Sequence, residues 1–317
     1  MVMYSSAQPS VSPSGEILIS VALITRNRPD TLERCLQSVR SQSYQPFEIV
    51  VSDDSDADYA AQTRAIAQRY DCRYLTGPQR GMQANRNHAH RACRGTHIRT
   101  MDDDHEFPPD HNRILEAAVR SDPTSIWVFG EYLEWPTPTS ILFPPGEMQP
   151  RGYRRFPLDP DDCFAISDGC TVYPRSVVTQ HPFIEKLKYA GEAEFGARLK
   201  ALGYRIRYCP DTYIIHHCLN SGGSPTTDKA LLLRSLFFGS YMTYGCYLRN
   251  PWKEFECLGY FLGMALRRTM GWSDRANDHH YSQLLNRPFT LQDFWQTWQL
   301  ARHYRSLFEQ GRYSEMV

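Results

Sequence analysis

The run ILISVALIT at residues 17–25 restricts the fold more than any other feature of the sequence. It is almost continuously apolar and rich in β-branched side chains, which is typical of a strand buried on both faces of a parallel sheet. An amphipathic helix is expected next, because Pro29 suits a first helical position and apolar side chains then recur at helical spacing. Those side chains are Leu32, Cys35, Leu36 and Val39. The segment is therefore predicted to be a strand, a loop and a helix.

The alternation of strands and helices continues along the chain. Strands are predicted at residues 47–52, 72–75 and 96–101, and helices at residues 59–70 and 83–93. Two closing strands are predicted later in the chain, at residues 204–208 and 212–215. Strands that alternate with helices at this spacing form a doubly wound, mostly parallel sheet flanked by helices, with right-handed crossovers. We therefore predict an α/β fold.

Polar clusters follow three of the predicted strands. In such a sheet, ligands bind at the carboxyl ends of the strands, near the point where strand order reverses. The clusters are Thr25-Arg26-Asn27, Asp53-Asp54 and Asp102-Asp103-Asp104. An Asp-x-Asp pair just past a strand points both carboxylates at one small volume, which predicts a site for Mg²⁺ or Mn²⁺. The alternative for three aspartates taken alone is an acidic, solvated turn.

Several classes of protein are disfavoured by the composition and by absent motifs. No Gly-x-Gly-x-x-Gly follows the first predicted strand and no Gly-x4-Gly-Lys-Ser/Thr occurs, which disfavours dinucleotide-binding and P-loop folds. Lysines and arginines number 35, as do the acids, so we expect no nucleic-acid partner. The nine cysteines include no Cys-x-x-Cys pair, which indicates buried thiols in a reducing cytoplasm and not a zinc knuckle or a disulfide framework.

Three segments resemble a known enzyme family. The runs SVALITRNRPDTLERCLQSVRSQSY, EIVVSDDS and GMQANRNHAHRACRGTHIRTMDDD resemble, in order and spacing, the nucleotide-sugar-binding half of family 2 glycosyltransferases with the GT-A fold. The resemblance covers about residues 17–218. It implies an inverting, metal-dependent enzyme that uses a nucleotide-diphosphate sugar, with a UDP-sugar favoured, and a saccharide or lipid-linked acceptor. Synthesis of a polysaccharide or a glycolipid is the expected setting.

The resemblance also assigns roles to single residues of the donor site. Residues matching Thr25 and Asp54 contact the nucleoside, the residue matching Asp102 lies near the ribose and diphosphate, and the residue matching Asp104 binds the metal. The expected donor site consists of Thr25, Arg26, Asn27, Asp53, Asp54, Arg86, Asp102 and Asp103. Asp102 is also a candidate metal ligand beside Asp104. Arg86 would meet a phosphate or brace the acidic cluster, and a plain surface arginine is its alternative. His105 departs from the family, in which a further Asp often follows the motif.

The general base is assigned by the family pattern at the start of a helix predicted over residues 189–203. Counting back from Arg198 gives Glu192, where the family usually has an Asp, and Gly191 stands in place of a Glu. Glu194 is the fallback for this role. The alternative for Glu192 is a carboxylate that only favours the helix N-terminus.

Two further positions match family motifs. Pro210 followed six residues later by His216 implies that His216 is a metal ligand. Asp168-Gly169 matches the acceptor-proximal segment of the family. Residues 135–156, rich in Pro and Gly, are interpreted as a mobile acceptor-side loop, with a plain surface excursion as the alternative.

The sequence predicts the domain organisation as well. We expect a disordered tail at residues 1–16 and a glycosyltransferase domain at residues 17–218, whose nucleotide-sugar half ends near 133 and whose acceptor half covers 134–218. Residues 219–317 would hold a lid at NSGGSP (220–225) and a helical extension.

The extension carries two apolar runs between residues 231 and 268, and neither is long enough for a simple transmembrane helix. One interpretation is a helical subdomain that packs on the catalytic domain or on a second protomer. The other is a surface that dips into the membrane interface. The expected location is the cytoplasm, with or without peripheral contact to the cytoplasmic face of the membrane.

Two other functions stay open at this point. A nucleotidyltransferase can also use a doubly wound sheet and metal-binding aspartates, but it would release pyrophosphate. A non-catalytic, glycosyltransferase-like binding subunit is the second alternative, because Gly191 and Glu192 replace the usual acidic pair.

Overall fold

The computed structural model describes residues 16–133, 142–167, 169–187, 191–217, 229–270 and 289–317. The predicted tail up to residue 15, Asp168, the predicted lid and part of the predicted acceptor-side loop lie outside these residues.

The first part of the chain alternates strands and helices as predicted. Its elements are β1 (Ile19–Thr25), α1 (Pro29–Arg40), β2 (Glu48–Asp53), α2 (Ala57–Arg69), β3 (Arg73–Thr76), α3 (Met82–Ala92) and β4 (His97–Asp102). These strands pair in parallel in the order β3-β2-β1-β4. The predicted doubly wound, mostly parallel sheet is confirmed for this half.

The next part of the chain completes the sheet. Its elements are β5 (His105–Glu106), α4 (His111–Ser121), β6 (Ile126–Leu133), β7 (Leu142–Phe143), β8 (Glu147–Met148), β9 (Arg154–Arg155), β10 (Thr171–Pro174), α5 (Arg175–Gln180), α6 (Gly191–Ala201) and β11 (Ile206–His216). The order continues from β4 as β10-β6-β11-β5, and β7 pairs with β6. Strand β10 runs antiparallel to both of its neighbours, whereas β6 and β11 are parallel. Strands β8 and β9 form a separate small hairpin.

Both faces of the sheet are covered, which is why β1 is apolar at nearly every position. Val21 and Leu23 lie in a core with residues of α1, α2 and α4. Ala22 and Ile24 lie in a second core with residues of α3, α5 and α6. Successive side chains of a strand point to opposite faces, so alternate residues of β1 serve the two cores.

The strand that closes the sheet differs from the expectation of two strands at residues 204–208 and 212–215. The structure has one strand, β11, whose pairing with β6 shifts register between Tyr208 and Tyr213. An irregularity of this kind inserts residues without ending the strand. Pro210, which has no backbone N–H to donate, lies inside the shift.

The C-terminal part is helical, as predicted. It consists of α7 (Lys229–Tyr241), a π-helical segment (Met242–Tyr247), α8 (Pro251–Thr269), α9 (Leu291–Glu309) and a 3₁₀ turn (Tyr313–Glu315). Its core is rich in aromatic rings, such as Phe237 stacked on Phe294 with 4.8 Å between ring centroids. Ala197 of α6 belongs to the same core, so the extension packs on the α/β domain. None of the described helices combines the length and apolarity needed to cross a membrane.

Candidate active site

The three predicted polar clusters meet at one edge of the sheet. Thr25 pairs with Asp53 across β1 and β2, and Ile24 pairs with Asp102 across β1 and β4. The carboxyl ends of these parallel strands are therefore adjacent, as the sequence predicted.

Asp102 is held by Arg86 of α3. The buried guanidinium donates from Nη2 to both carboxylate oxygens, at 2.8 and 2.7 Å. Burial alone would raise the pKa of Asp102, but the charge and hydrogen bonds of Arg86 outweigh it and lower the pKa to about 2. Arg86 therefore braces the acidic cluster, which is one of the two roles expected for it; the other is phosphate binding.

Asp103 is buried beneath the cluster and ties two loops together. Its Oδ2 accepts hydrogen bonds from Thr25 Oγ1 at 2.6 Å and from Arg28 Nε at 3.2 Å. A second nitrogen of Arg28 contacts Oδ1 of the same carboxylate. Burial raises the pKa of the Asp103 carboxyl, and the charge of Arg28 opposes that shift. Thr25 is therefore linked to the acidic cluster through Asp103, a buried aspartate that contacts Thr25 and Arg28.

Asp104, His105 and His216 form a candidate metal centre. One ligand atom from each lies within 4.8 Å of the others. Oδ1 of Asp104 is 3.7 Å from His105 Nε2 and 3.8 Å from His216 Nε2. The other oxygen of Asp104 accepts from Arg28 Nη1 at 3.1 Å, so Oδ1 is turned toward the histidines. A carboxylate with imidazoles is a donor set that divalent metals accept.

Glu131 of β6 contacts His216 at the ring nitrogen that does not face Asp104. Its Oε2 lies 2.9 Å from His216 Nδ1. Because a carboxylate accepts, Nδ1 carries the proton and the lone pair of Nε2 is directed toward Asp104. A carboxylate that orients a histidine in this way is the usual partner of a metal-binding imidazole. The residues present therefore fit a divalent cation. Asp102 is absent from the group because Arg86 holds its carboxylate.

His105 occupies space that Gly169 leaves open. A Cβ at residue 169 would overlap the His105 ring, which is buried beside His216 with 4.6 Å between ring centroids. Burial and the charge of His216 lower the pKa of His105 to about 4, so the ring is neutral near pH 7. The matching of Asp168-Gly169 to an acceptor segment stays a prediction, and Asp168 itself lies outside the described residues.

The expected nucleoside end of the site is built from the loops after β1 and β2. Asp54 accepts from the backbone N–H of Gln79 at 2.8 Å, and burial raises its pKa. Asn27, whose φ is 56°, donates from Nδ2 to Asp56 at 2.6 Å and so joins the two loops. Arg26 is exposed and lies 3.8 Å from the same aspartate.

Asp53 supports the end of β2 instead of pointing outward. It accepts from the backbone N–H of Ser55 at 2.9 Å and from the hydroxyl of Tyr74 at 2.8 Å. Its carboxylate is buried. These contacts give Asp53 a structural task next to the expected donor site.

Glu192, in the first turn of α6, contacts the guanidinium of Arg154 from the small β8–β9 hairpin. The residue before it is close to α3, since a Cβ at Gly191 would lie 2.7 Å from Gln83 Nε2. Gln83 in turn accepts from Arg86 at 3.3 Å. The start of α6 is therefore adjacent to the helix that braces Asp102.

Glu194 has different surroundings. It is fully buried and accepts from Arg198 Nε at 2.8 Å and from the hydroxyl of Tyr247 in the π-helical segment. This carboxylate joins α6 to the C-terminal extension, and its partners leave Glu192 as the better candidate for the base.

Three residues of the site were not found from the sequence. Arg28 directly follows the Thr25-Arg26-Asn27 cluster, so its neighbours were the signal for it. Glu131 is an acid inside the apolar run of β6, a break in pattern that marks a functional side chain. Arg154 gave only a weak signal, as one arginine of a loop rich in Pro and Gly.

Comparison with known proteins agrees with this architecture. The model of the family "Glycosyl transferase family 2" matches residues 20–181, just over half of the chain. The uncharacterized protein MT1568 of Mycobacterium tuberculosis is 36% identical over 118 residues, which are 37% of this chain and 34% of that protein. The alignment thus spans only about a third of this relative.

Two solved structures have a similar fold. TarS of S. aureus in complex with UDP-GlcNAc has a TM-score of 0.58 and 15% identity, over 84% of this chain and 78% of that chain. GalNAc-T7 with UDP, GalNAc and Mn²⁺ has a TM-score of 0.61 and 13% identity, over 91% of this chain and 59% of that chain.

The mostly parallel sheet with its flanking helices is a GT-A fold, the class that the structural neighbours share. The chain belongs to glycosyl transferase family 2. The resemblance seen in the sequence is confirmed at the level of the family and its fold.

Proposed function

We propose that this enzyme is an inverting, metal-dependent glycosyltransferase that moves a sugar from a nucleotide-diphosphate donor, most simply a UDP-sugar, to an acceptor hydroxyl. The observation that carries the proposal is that a candidate metal centre and a candidate base share one neighbour, Arg154. Asp104 faces His216, His216 is held by Glu131, and the charge of Arg154 acts on Glu131 while its guanidinium contacts Glu192.

Charge changes at two places during the reaction: the acceptor hydroxyl loses a proton, and negative charge develops on the leaving diphosphate. Glu192 accepts the proton of the acceptor hydroxyl as its oxygen attacks the anomeric carbon and the bond to the diphosphate breaks. Arg154 must leave Glu192 for this step, because a carboxylate paired with a guanidinium is a weaker base. Inversion follows from the single displacement.

Asp104 and His216 would hold the divalent cation, Mn²⁺ or Mg²⁺, whose chemistry here is to neutralise charge on the leaving nucleoside diphosphate. Arg28 keeps Oδ1 of Asp104 available by binding Oδ2, and Glu131 keeps His216 in the tautomer that can act as a ligand. Thr25 and Asp54, with the loop residues Arg26 and Asn27, are the proposed nucleoside side of the site. Asp168 and Gly169 are proposed to lie on the acceptor side.

The test is to incubate the full chain with Mn²⁺ and a panel of nucleotide sugars, beginning with UDP-GlcNAc, and to identify the product released. A nucleoside diphosphate is expected, and a saccharide or lipid-linked product with inverted anomeric configuration. Pyrophosphate would indicate a nucleotidyltransferase. No release from any donor, with retained Mn²⁺ binding, would indicate a binding subunit. A role in making a polysaccharide or a glycolipid on the cytoplasmic side is the setting we propose.

A further inference from the structure

Helix α8 has an apolar face that points away from the protein. Trp252 is 83% exposed and Phe255 is 73% exposed. Leu262 is 38% exposed, and a Cβ at Gly259 would meet nothing within 4 Å. The spacing of these four positions places them on one side of the helix over about 15 Å.

The opposite side of α8 is already buried. Cys257, Phe261 and Ala265 lie in the core of the C-terminal extension. Large apolar side chains that are exposed together on one side of a helix often mark a surface that meets a partner. The outward face of α8 is therefore a candidate interaction surface.

The charges around this face are basic at both ends. Arg249 and Lys253 stand near its first turn, and Arg267 and Arg268 stand in its last turn. The two acids of the helix are engaged by arginines of other elements: Glu254 with Arg305 at 3.1 Å and Glu256 with Arg151 at 2.7 Å. Lys253 also packs over the ring of Tyr244, with Nζ 4.8 Å from the ring centroid. Among the described residues, the face thus combines exposed aromatic rings with flanking basic side chains.

We propose that this face of α8 binds the surface of an anionic bilayer, with Trp252 and Phe255 inserted at headgroup level and the helix lying in the plane of the interface. Amphipathic interfacial helices combine such an apolar face with flanking Lys and Arg, and anionic lipid attracts those ends. A second copy of the chain fits less well. Whether two α8 helices packed parallel or antiparallel, basic ends would face basic ends.

The apolar face of α8 belongs to a helix that contacts the predicted acceptor-side loop, residues 135–156. The β8–β9 hairpin is fixed to α8 through Arg151 and Glu256, and through Gly152, at which a Cβ would lie 3.1 Å from the Phe261 ring. The same hairpin carries Arg154 to Glu192. If the proposed function is accepted, on which this step rests, the acceptor is an amphiphile that is anchored in the same bilayer.

The experiment is flotation of the full chain with two kinds of vesicle, one of phosphatidylcholine alone and one of phosphatidylcholine mixed with phosphatidylglycerol. We expect binding to the mixed vesicles and little to the neutral ones. The double variant Trp252→Ser/Phe255→Ser should lower the bound fraction at least about tenfold, since two inserted aromatic side chains are lost. Lys253→Gln should weaken binding to the mixed vesicles only.

The matched control is Phe47→Ser. Phe47 is 49% exposed and precedes β2, at the end of the sheet opposite the candidate active site. This variant should float like the wild type, and circular dichroism should give all variants the same fold.

A wild-type chain that floats with neither vesicle would overturn the proposal. Flotation that the double variant retains would also overturn it, as would a dimer in sedimentation equilibrium that the double variant dissociates. The assay needs no donor and no turnover, so its failure is separate from a failure of the proposed function.

Discussion

Two glutamates of α6 are proposed to have different roles: Glu192 a catalytic one, and Glu194 a structural one in a buried pair with Arg198. Both side chains of the pair are buried, Arg198 donates to Glu194 from Nε at 2.8 Å and from Nη2 at 3.3 Å, and Tyr247 donates to the same carboxylate. Removal of one partner of such a pair leaves a buried charge without its counter-ion, which typically costs about 3–5 kcal/mol. We therefore predict that Glu194→Gln lowers the free energy of unfolding by about that amount.

The measurement is urea denaturation of the full chain, followed by circular dichroism. The pair of Glu116 and Arg120 is a matched control in which the guanidinium is 58% exposed. It has the same order and i,i+4 spacing, with Nε and Oε1 2.8 Å apart. Glu116→Gln should cost less than about 1 kcal/mol. A double-mutant cycle with Arg198→Met should give a coupling energy of at least about 1 kcal/mol. An unchanged denaturation midpoint for Glu194→Gln together with lost turnover would refute the reasoning and return Glu194 to the role of base.

Three further predictions concern the active site. Asp104→Ala should abolish Mn²⁺ binding in calorimetry and Glu131→Gln should weaken it about 10–100-fold; wild-type affinity in both variants would rule out the proposed centre. Glu192→Gln should keep Mn²⁺ affinity and lower turnover by about 10²-fold or more, and undiminished turnover would exclude it as the base. Arg154→Gln should raise hydrolysis of whichever nucleotide sugar the donor panel identifies, measured without an acceptor, because Glu192 then lacks its guanidinium partner. A lower rate would mean that Arg154 instead holds the donor or its leaving group.

The sheet up to β4 could be predicted because its signals are local. A continuous β-branched run specifies β1, and apolar residues at helical spacing specify α1. The shared edge of the polar clusters also followed, because parallel strands bring their carboxyl ends together. The single strand β11 was not predicted, since Pro210 and its neighbours read locally as a break while pairing with β6 continues on both sides.

The different partners of Asp102 and Asp104 could not be predicted from the spacing of the aspartates. Asp102 and Asp104 are equivalent in an Asp-x-Asp motif, yet Arg86 holds the first and Arg28 orients the second. His216 depends on Glu131, which is 85 residues away in sequence. Such pairs are set by which strands become neighbours, and β6 and β11 pair although they are far apart in sequence.

The C-terminal extension contributes to the site through backbone contacts that no motif records. Tyr244 donates to the carbonyl of Met148 at 2.8 Å, and Ser240 donates to that of Gln149 at 3.0 Å. These bonds fix one end of the hairpin that carries Arg154, just as Tyr247 fixes α6 at Glu194. Both elements that meet at Glu192 are thus anchored on α7 and the π-helical segment, which share one apolar core with α8.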